Sequence, residues 1–144
     1  MKFTLDDDNP FWIAQTNLDG HPIVIRIESD DETASDAGRT GQRILDLVQT
    51  NWDLIRHTLV NDRLAVHNEE WADISHNRPS LSPADFLEKL TPTTIDFGTW
   101  EEDDGLHELC SVLFDDSNIF GGHAIQVCWN PAATSISPSA TIEG

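Results

Sequence analysis

The sequence predicts an α+β fold, a mostly antiparallel sheet with two or three helices packed on one of its faces. Three observations predict it. Two alternating apolar segments near the N-terminus flank an Asp-Gly turn. Through the middle, apolar residues recur every three or four positions. In the last third, apolar and β-branched segments return, separated by acidic turns. Strands, then helices, then strands is the order expected of an α+β domain.

Phe11-Trp12-Ile13-Ala14-Gln15-Thr16 follows the breaker Asn9-Pro10 and reads as a strand. Asn17-Leu18-Asp19-Gly20 contains the hairpin signal, and Pro22–Glu28 returns. In the returning strand Ile23, Ile25 and Ile27 share one face and Val24, Arg26 and Glu28 the other, as in a half-buried antiparallel strand. An acidic loop, Ser29–Thr33, comes next, and a helix begins between Ser35 and Gly41. Ile44, Val48, Trp52, Ile55 and Leu59 form its apolar stripe. Asn61-Asp62 is a candidate end, after which Leu64, His67, Trp71 and Ile74 continue at helical spacing. Ser82-Pro83-Ala84-Asp85 reads as an N-cap, a first-turn proline and a third-position acid, opening a short helix to Leu90.

Four strands follow: 94–100, 106–114, 123–129 and 134–143. The last contains Pro138 and therefore belongs at a sheet edge. A hairpin centred on Ile119 would set Leu113 against Ile125, Ser111 against Val127 and Leu109 against Trp129 as the core face. The same register places Cys110 opposite Cys128. Two free thiols are the reading preferred over a bridge, as suits a reducing compartment. No repeat or linker divides the chain, so residues 1–144 are expected to form one domain, a size that can bury one core.

The chain carries 26 acidic and 8 basic side chains, a formal charge of −18. Residues 1–36 hold nine acids and two bases, residues 37–90 eight and six, and residues 91–144 nine acids with no Lys or Arg. Binding to nucleic acid is excluded by this balance, since phosphate backbones are held by cations. Anionic membrane surfaces are excluded on the same ground. No apolar run reaches the roughly 20 residues of a membrane span, and the N-terminus lacks the apolar core of a signal peptide, so a cytoplasmic protein is expected. The one-signed ends favour solubility and would steer a basic protein partner.

No catalytic or cofactor motif is present. His57, His67 and His76 have no metal-ligand spacing, and there is no Cys-x-x-Cys. Neither Asp6-Asp7-Asp8 nor Asp115-Asp116-Ser117-Asn118 fits a calcium loop. Gly-rich phosphate loops are missing, so no cofactor and no metal are expected. His123, after Gly121-Gly122, could act as a general base beside Asp115 or Asp116. No nucleophile accompanies it, and a structural role for Gly122 and His123, tying the hairpin loop, is preferred.

Phe114-Asp115-Asp116, then Phe120-Gly121-Gly122-His123-Ala124-Ile125-Gln126-Val127, then Ala140-Thr141-Ile142-Glu143-Gly144 form a distinctive C-terminal segment. It resembles a family of small bacterial domains with an acidic turn, an aromatic-x-Gly-His-x-Ile-x-Val strand and a final Ala-x-Ile-x-Gly. Such domains look like members of the immunity repertoire found beside polymorphic and contact-dependent toxins. The resemblance implies a cytoplasmic, non-enzymatic protein that binds and blocks one cognate toxin; a monomer or homodimer is expected. Together with the charge, it points to a basic effector such as a nuclease, its substrate site occluded by carboxylates. The candidate contact residues are Asp30, Asp31 and Glu32; Trp100 with Glu101, Glu102, Asp103 and Asp104; Asp115 and Asp116; and Phe120 as an aromatic anchor. The alternatives are an acidic adaptor, a nucleic-acid-mimicking inhibitor of another protein, or an enzyme using His123.

Overall fold

The computed structural model describes residues 1–28, 33–73, 76–133 and 136–143. Seven strands form one sheet in sequence order: β1 (Thr4–Leu5), β2 (Trp12–Leu18), β3 (His21–Glu28), β4 (Thr91–Glu102), β5 (Gly105–Asp115), β6 (Ile125–Trp129) and β7 (Ser139–Ile142). Every neighbouring pair is antiparallel except β3 and β4, which run parallel. Parallel neighbours need a long crossover. Here it is the helical middle of the chain: α1 (Ala34–Thr50), α2 (Trp52–Leu59), two π-helical turns (Val60–Leu64 and His67–Trp71) and α3 (Pro83–Lys89). The α+β class and the mostly antiparallel sheet expected from the sequence are observed, while the helical layer has more pieces than the two or three expected. β1 was not expected; two residues carry too little pattern to be read.

The expected turn at Asp19-Gly20 joins β2 to β3, and both residues have positive φ, 51° and 78°. This is the conformation that twisted two-residue hairpins require. Thr33 caps α1, accepting a hydrogen bond from the Asp36 amide, and Ser82 caps α3 through the Asp85 amide, as its sequence predicts. The apolar stripe of the middle is intact, with Ile44, Val48, Ile55 and Leu59 all fully buried. Asn61-Asp62 does not end the helical path. The chain widens into a π turn there, and two of its residues grip the edge strand. Asp62 Oδ2 accepts from the Ala140 amide at 2.9 Å, and Arg63 Nε donates to the Ala140 carbonyl at 2.7 Å. β7 is an edge strand, as expected, but it spans Ser139–Ile142 and not 134–143, so Pro138 precedes it instead of interrupting it, and 134 and 135 lie outside the described residues. Among the described residues, no helix is long and apolar enough to cross a membrane.

One face of the sheet carries the helices. Ile23, Ile25, Ile27, Ile95, Phe97, Cys110, Val112, Phe114, Ile125, Val127 and Trp129 point into this core. Trp52, from the helical layer, stacks on Phe114 with ring centroids 5.8 Å apart. The register expected for β5 and β6 is wrong by one residue. Phe114 pairs with Ile125, Val112 with Val127 and Cys110 with Trp129. The turn therefore centres between Ile119 and Phe120, and Phe114, Val112 and Cys110 replace Leu113, Ser111 and Leu109 inside. A one-residue slip exchanges the faces of a strand, and the observed one removes a serine from the core. Cys128 pairs with Ser111, so Cys110 and Cys128 lie on opposite faces and both are free thiols. Burial pushes the Cys110 thiol far above its ordinary range.

Candidate functional site

β4 and β5 are the longest strands and pair from Thr91 opposite Asp115 to Glu102 opposite Gly105. The turn between them is only Asp103-Asp104, shorter than the acidic turn 101–105 read from the sequence. Gly105 makes it possible, with φ of +121°, where a side chain would be strained. Glu101, Glu102, Asp103 and Asp104 are all exposed at this tip. A two-residue turn leaves few spare backbone amides, so these carboxylates face water.

The opposing register sets Trp100 against His107. Their rings stack at 5.5 Å with an interplanar angle of 16°. Trp100 Nε1 donates to Glu102 Oε1 at 3.1 Å, which fixes the indole edge while 42% of the residue stays exposed. His107 Nε2 lies 2.6 Å from Asp104 Oδ1 and 3.5 Å from Glu102 Oε2. Hydrogen bonding to Asp104, reinforced by the charges of Asp104 and Glu102, raises the His107 pKa against a smaller opposing effect of burial. The same hydrogen bond holds the Asp104 carboxyl below its ordinary range. One donor atom each from Glu102, Asp104 and His107 lies within 4.8 Å of the others. Two carboxylates and an imidazole are a donor set that zinc or manganese accepts. This set is exposed and already bonded internally.

Trp100 also borders the face of the sheet opposite the helices. There Val24, Arg26 and Glu28 of β3 lie beside Asp96, Gly98 and Trp100 of β4, then Leu109 and Ser111 of β5. Gly98 contributes no side chain and Ser111 a small one. The result is a depression of about 380 Å³ ringed by Phe11, Trp100, Leu109 and the Arg26–Asp96 pair. Arg26 donates twice to Asp96, from Nε at 2.6 Å and a terminal nitrogen at 2.7 Å, and its guanidinium sits 5.9 Å from the Phe11 ring centre. Leu109 is 41% exposed. Aromatic and aliphatic anchors beside an acidic rim are features of a protein-binding surface.

The other expected contact residues fall elsewhere. Asp30, Asp31 and Glu32 lie outside the described residues. Asp115 is exposed at the end of β5, where its Oδ2 accepts from the Ser117 amide at 3.3 Å. Asp116 and Phe120 must be withdrawn from the surface. Asp116 is 2% exposed, and its carboxylate accepts from the amides of Asn118 at 2.9 Å, Phe120 at 2.9 Å and Gly122 at 3.0 Å. Phe120 is fully buried, edge-on to His67, Trp71 and Phe86. Asp116, with Asp115 and Ser117, supplies side-chain hydrogen bonds that tie the loop, and none from His123 is present among the described residues. Gly122 belongs to that tie through its amide and has φ of +89°. The His123 ring packs edge-on against Trp71, at 6.0 Å. No hydrogen bond joins it to Asp115 or Asp116 among the described residues.

Sequence reasoning missed His107, Leu109 and the Arg26–Asp96 pair. Period-two alternation with the two-residue turn would have set His107 opposite Trp100. The parallel pairing that joins Arg26 to Asp96 leaves no local signal.

Fold and site define a small acidic α+β domain with one sheet face covered by helices and the other open beside a carboxylate-rich hairpin. The family model described as "Uncharacterized protein conserved in bacteria (DUF2262)" matches residues 1–138, and the chain belongs to that family. No curated protein and no solved structure matches the chain.

Proposed function

We propose that the protein is an immunity protein, which binds a cognate basic toxin in the bacterial cytoplasm and occludes its substrate site without catalysing a reaction. The observation that carries this reading is the β4–β5 hairpin: four consecutive exposed carboxylates beside exposed Trp100 and Leu109, in a third of the chain with no Lys or Arg. Carboxylates there can stand where the phosphates of a nuclease substrate would bind. Long-range attraction raises the association rate, and burial of Trp100 and Leu109 slows dissociation. The Trp100–His107 stack and the His107–Asp104 contact would limit what must be ordered in the hairpin on binding.

The test is capture from source cells on the tagged protein, with washes at low and moderate salt, followed by growth protection against the captured partner. A single basic, stoichiometric partner encoded nearby is expected, with protection abolished in the variant E101Q/E102Q/D103N/D104N. A partner that is not a toxin, or protection untouched by this variant, would sink the reading. The first outcome would favour an acidic adaptor.

A further inference from the structure

A second cavity lies on the helical side, away from the acidic hairpin. It occupies about 560 Å³ between the second π turn, the segment 76–81, the end of α3 and the start of the β5–β6 loop. Its chemistry is opposite to that of the rest of the molecule. Arg78, Lys89, His67 and His76 line it, and among the described residues no acid does, although His76 Nδ1 lies 2.6 Å from the carboxylate of Asp73. Among the described residues, neither the Arg78 guanidinium nor the Lys89 ammonium has an ion-pair partner. Lys89 is one of only two lysines in the chain. Two uncompensated cations in one concavity of a strongly acidic protein are a site for an anion.

His67 adds a second, independent observation. It is 1% exposed, and its Nε2 has no hydrogen-bond partner among the described residues. Its tautomer follows from its neighbours. Asn68 Nδ2 donates to the Leu81 carbonyl at 3.0 Å, and Asn68 Oδ1 accepts from the Leu81 amide at 2.9 Å. The oxygen of Asn68 therefore lies 2.9 Å from His67 Nδ1, and Nδ1 must carry the proton. Nε2 is left as a buried lone pair without a donor, which is costly unless something else supplies one. Asn118, on the loop side, has a side-chain amide with no hydrogen bond among the described residues and lines the same cavity.

We propose that this cavity binds a phosphate-type oxyanion that still carries an O–H, as a phosphomonoester monoanion or inorganic phosphate. Arg78 and Lys89 hold the charged oxygens, Asn118 donates to one of them, and the O–H donates to His67 Nε2. A phosphate group fills only part of the volume, which leaves room for a small organic group on the ester. The site is separate from the hairpin and does not depend on the immunity reading.

The probes are inorganic phosphate, glycerol phosphate and sulfate, titrated at pH 7 and constant ionic strength into the intact protein. Amide NMR shifts of Ser117, Asn118 and Lys89 report binding. Saturable shifts with Kd below about 1 mM are expected for phosphate. Affinity should fall at least tenfold in Arg78→Gln and in Lys89→Gln and stay unchanged in Arg39→Gln, whose exposed cation sits on α1. Absence of saturation, or an equal loss in Arg39→Gln, would overturn the site. Sulfate has no O–H at this pH and should bind several-fold more weakly; equal binding would overturn the role of His67. Tighter binding of glycerol phosphate would identify a phosphomonoester as the ligand, and equal binding inorganic phosphate.

Discussion

Two acidic hairpins of this protein look alike in sequence and differ in the structure. Glu101–Asp104 and Asp115-Asp116 both follow apolar strands, and both suggest a charged surface turn. In the first, four carboxylates stand in water at a two-residue turn. In the second, Asp116 lies inside and takes three backbone amides of a loop that runs to Ala124. The difference is one of backbone accounting. A tight turn has almost no orphan N–H groups, whereas a long loop has several, and those that are buried must find acceptors. Charge at a turn is therefore not evidence of a partner until the loop's own amides have been satisfied.

The largest effect that tests this contrast is expected at Asp116. Asp116→Ala removes the acceptor of three amides next to fully buried Phe120. Hydrogen bonds to a charged group contribute about 1.5–3 kcal/mol each, and some of this is recovered by water entering the loop. A loss of about 3 kcal/mol in urea unfolding is expected, read from a lower midpoint at unchanged slope. Asp116→Asn keeps one acceptor but turns an N–H toward the remaining donors, so an intermediate loss follows. A loss below about 1 kcal/mol for Asp116→Ala would show that water satisfies the loop without the carboxylate.

The same contrast explains what could be read in the sequence. Local patterns were legible: the Asp19-Gly20 turn, the stripe from Ile44 to Leu59, the Ser82 cap, and the edge position of the strand after Pro138. Features set by contacts distant in sequence were not. Nothing near Arg26 indicates Asp96, because the parallel β3–β4 pair is made only once the helices have crossed over. The β5–β6 register depended on how the Asp116-centred loop folds, and a one-residue error there exposed Phe114 and buried Leu113. The hairpin tip was recognised as acidic, but the partner of Trp100 was overlooked. Phe120 was mistaken for a surface anchor because an aromatic in a glycine-rich loop gives no hint that the helical layer covers it.

A smaller effect on stability is expected at the exposed hairpin. The variant E101Q/E102Q/D103N/D104N removes four exposed like charges and breaks no core contact. Its unfolding free energy should stay within about 0.5 kcal/mol of the parent. Trp100→Ala should likewise leave the fold intact, while it weakens capture of a protein partner by at least tenfold, the range of an aromatic anchor. Equal destabilisation by the hairpin variant and by Asp116→Ala would erase the distinction between the two turns.

The smallest expected effect is a titration, and it tests whether the hairpin is preorganised. The His107 pKa is raised in the fold, first by its hydrogen bond to Asp104. That contribution is complete below the ordinary histidine value of 6.5 and is lost as pH rises through the raised one. The Asp104 pKa is lowered, first by the same bond. Its contribution is complete above the ordinary carboxyl value of 3.8 and is lost as pH falls through the lowered one. The pair is therefore fully charged across the mildly acidic range between them, and its charge contribution is lost above that range, when His107 gives up its proton. Ring-proton NMR shifts of His107 should give a midpoint above 6.5, and Asp104→Asn should bring it back toward that value. An unchanged midpoint in Asp104→Asn would mean that the histidine is set by Glu102 or by its stack on Trp100. The hairpin would then carry its charge without a fixed geometry, and the carboxylates that face water would be held no more firmly than those of any loose acidic turn.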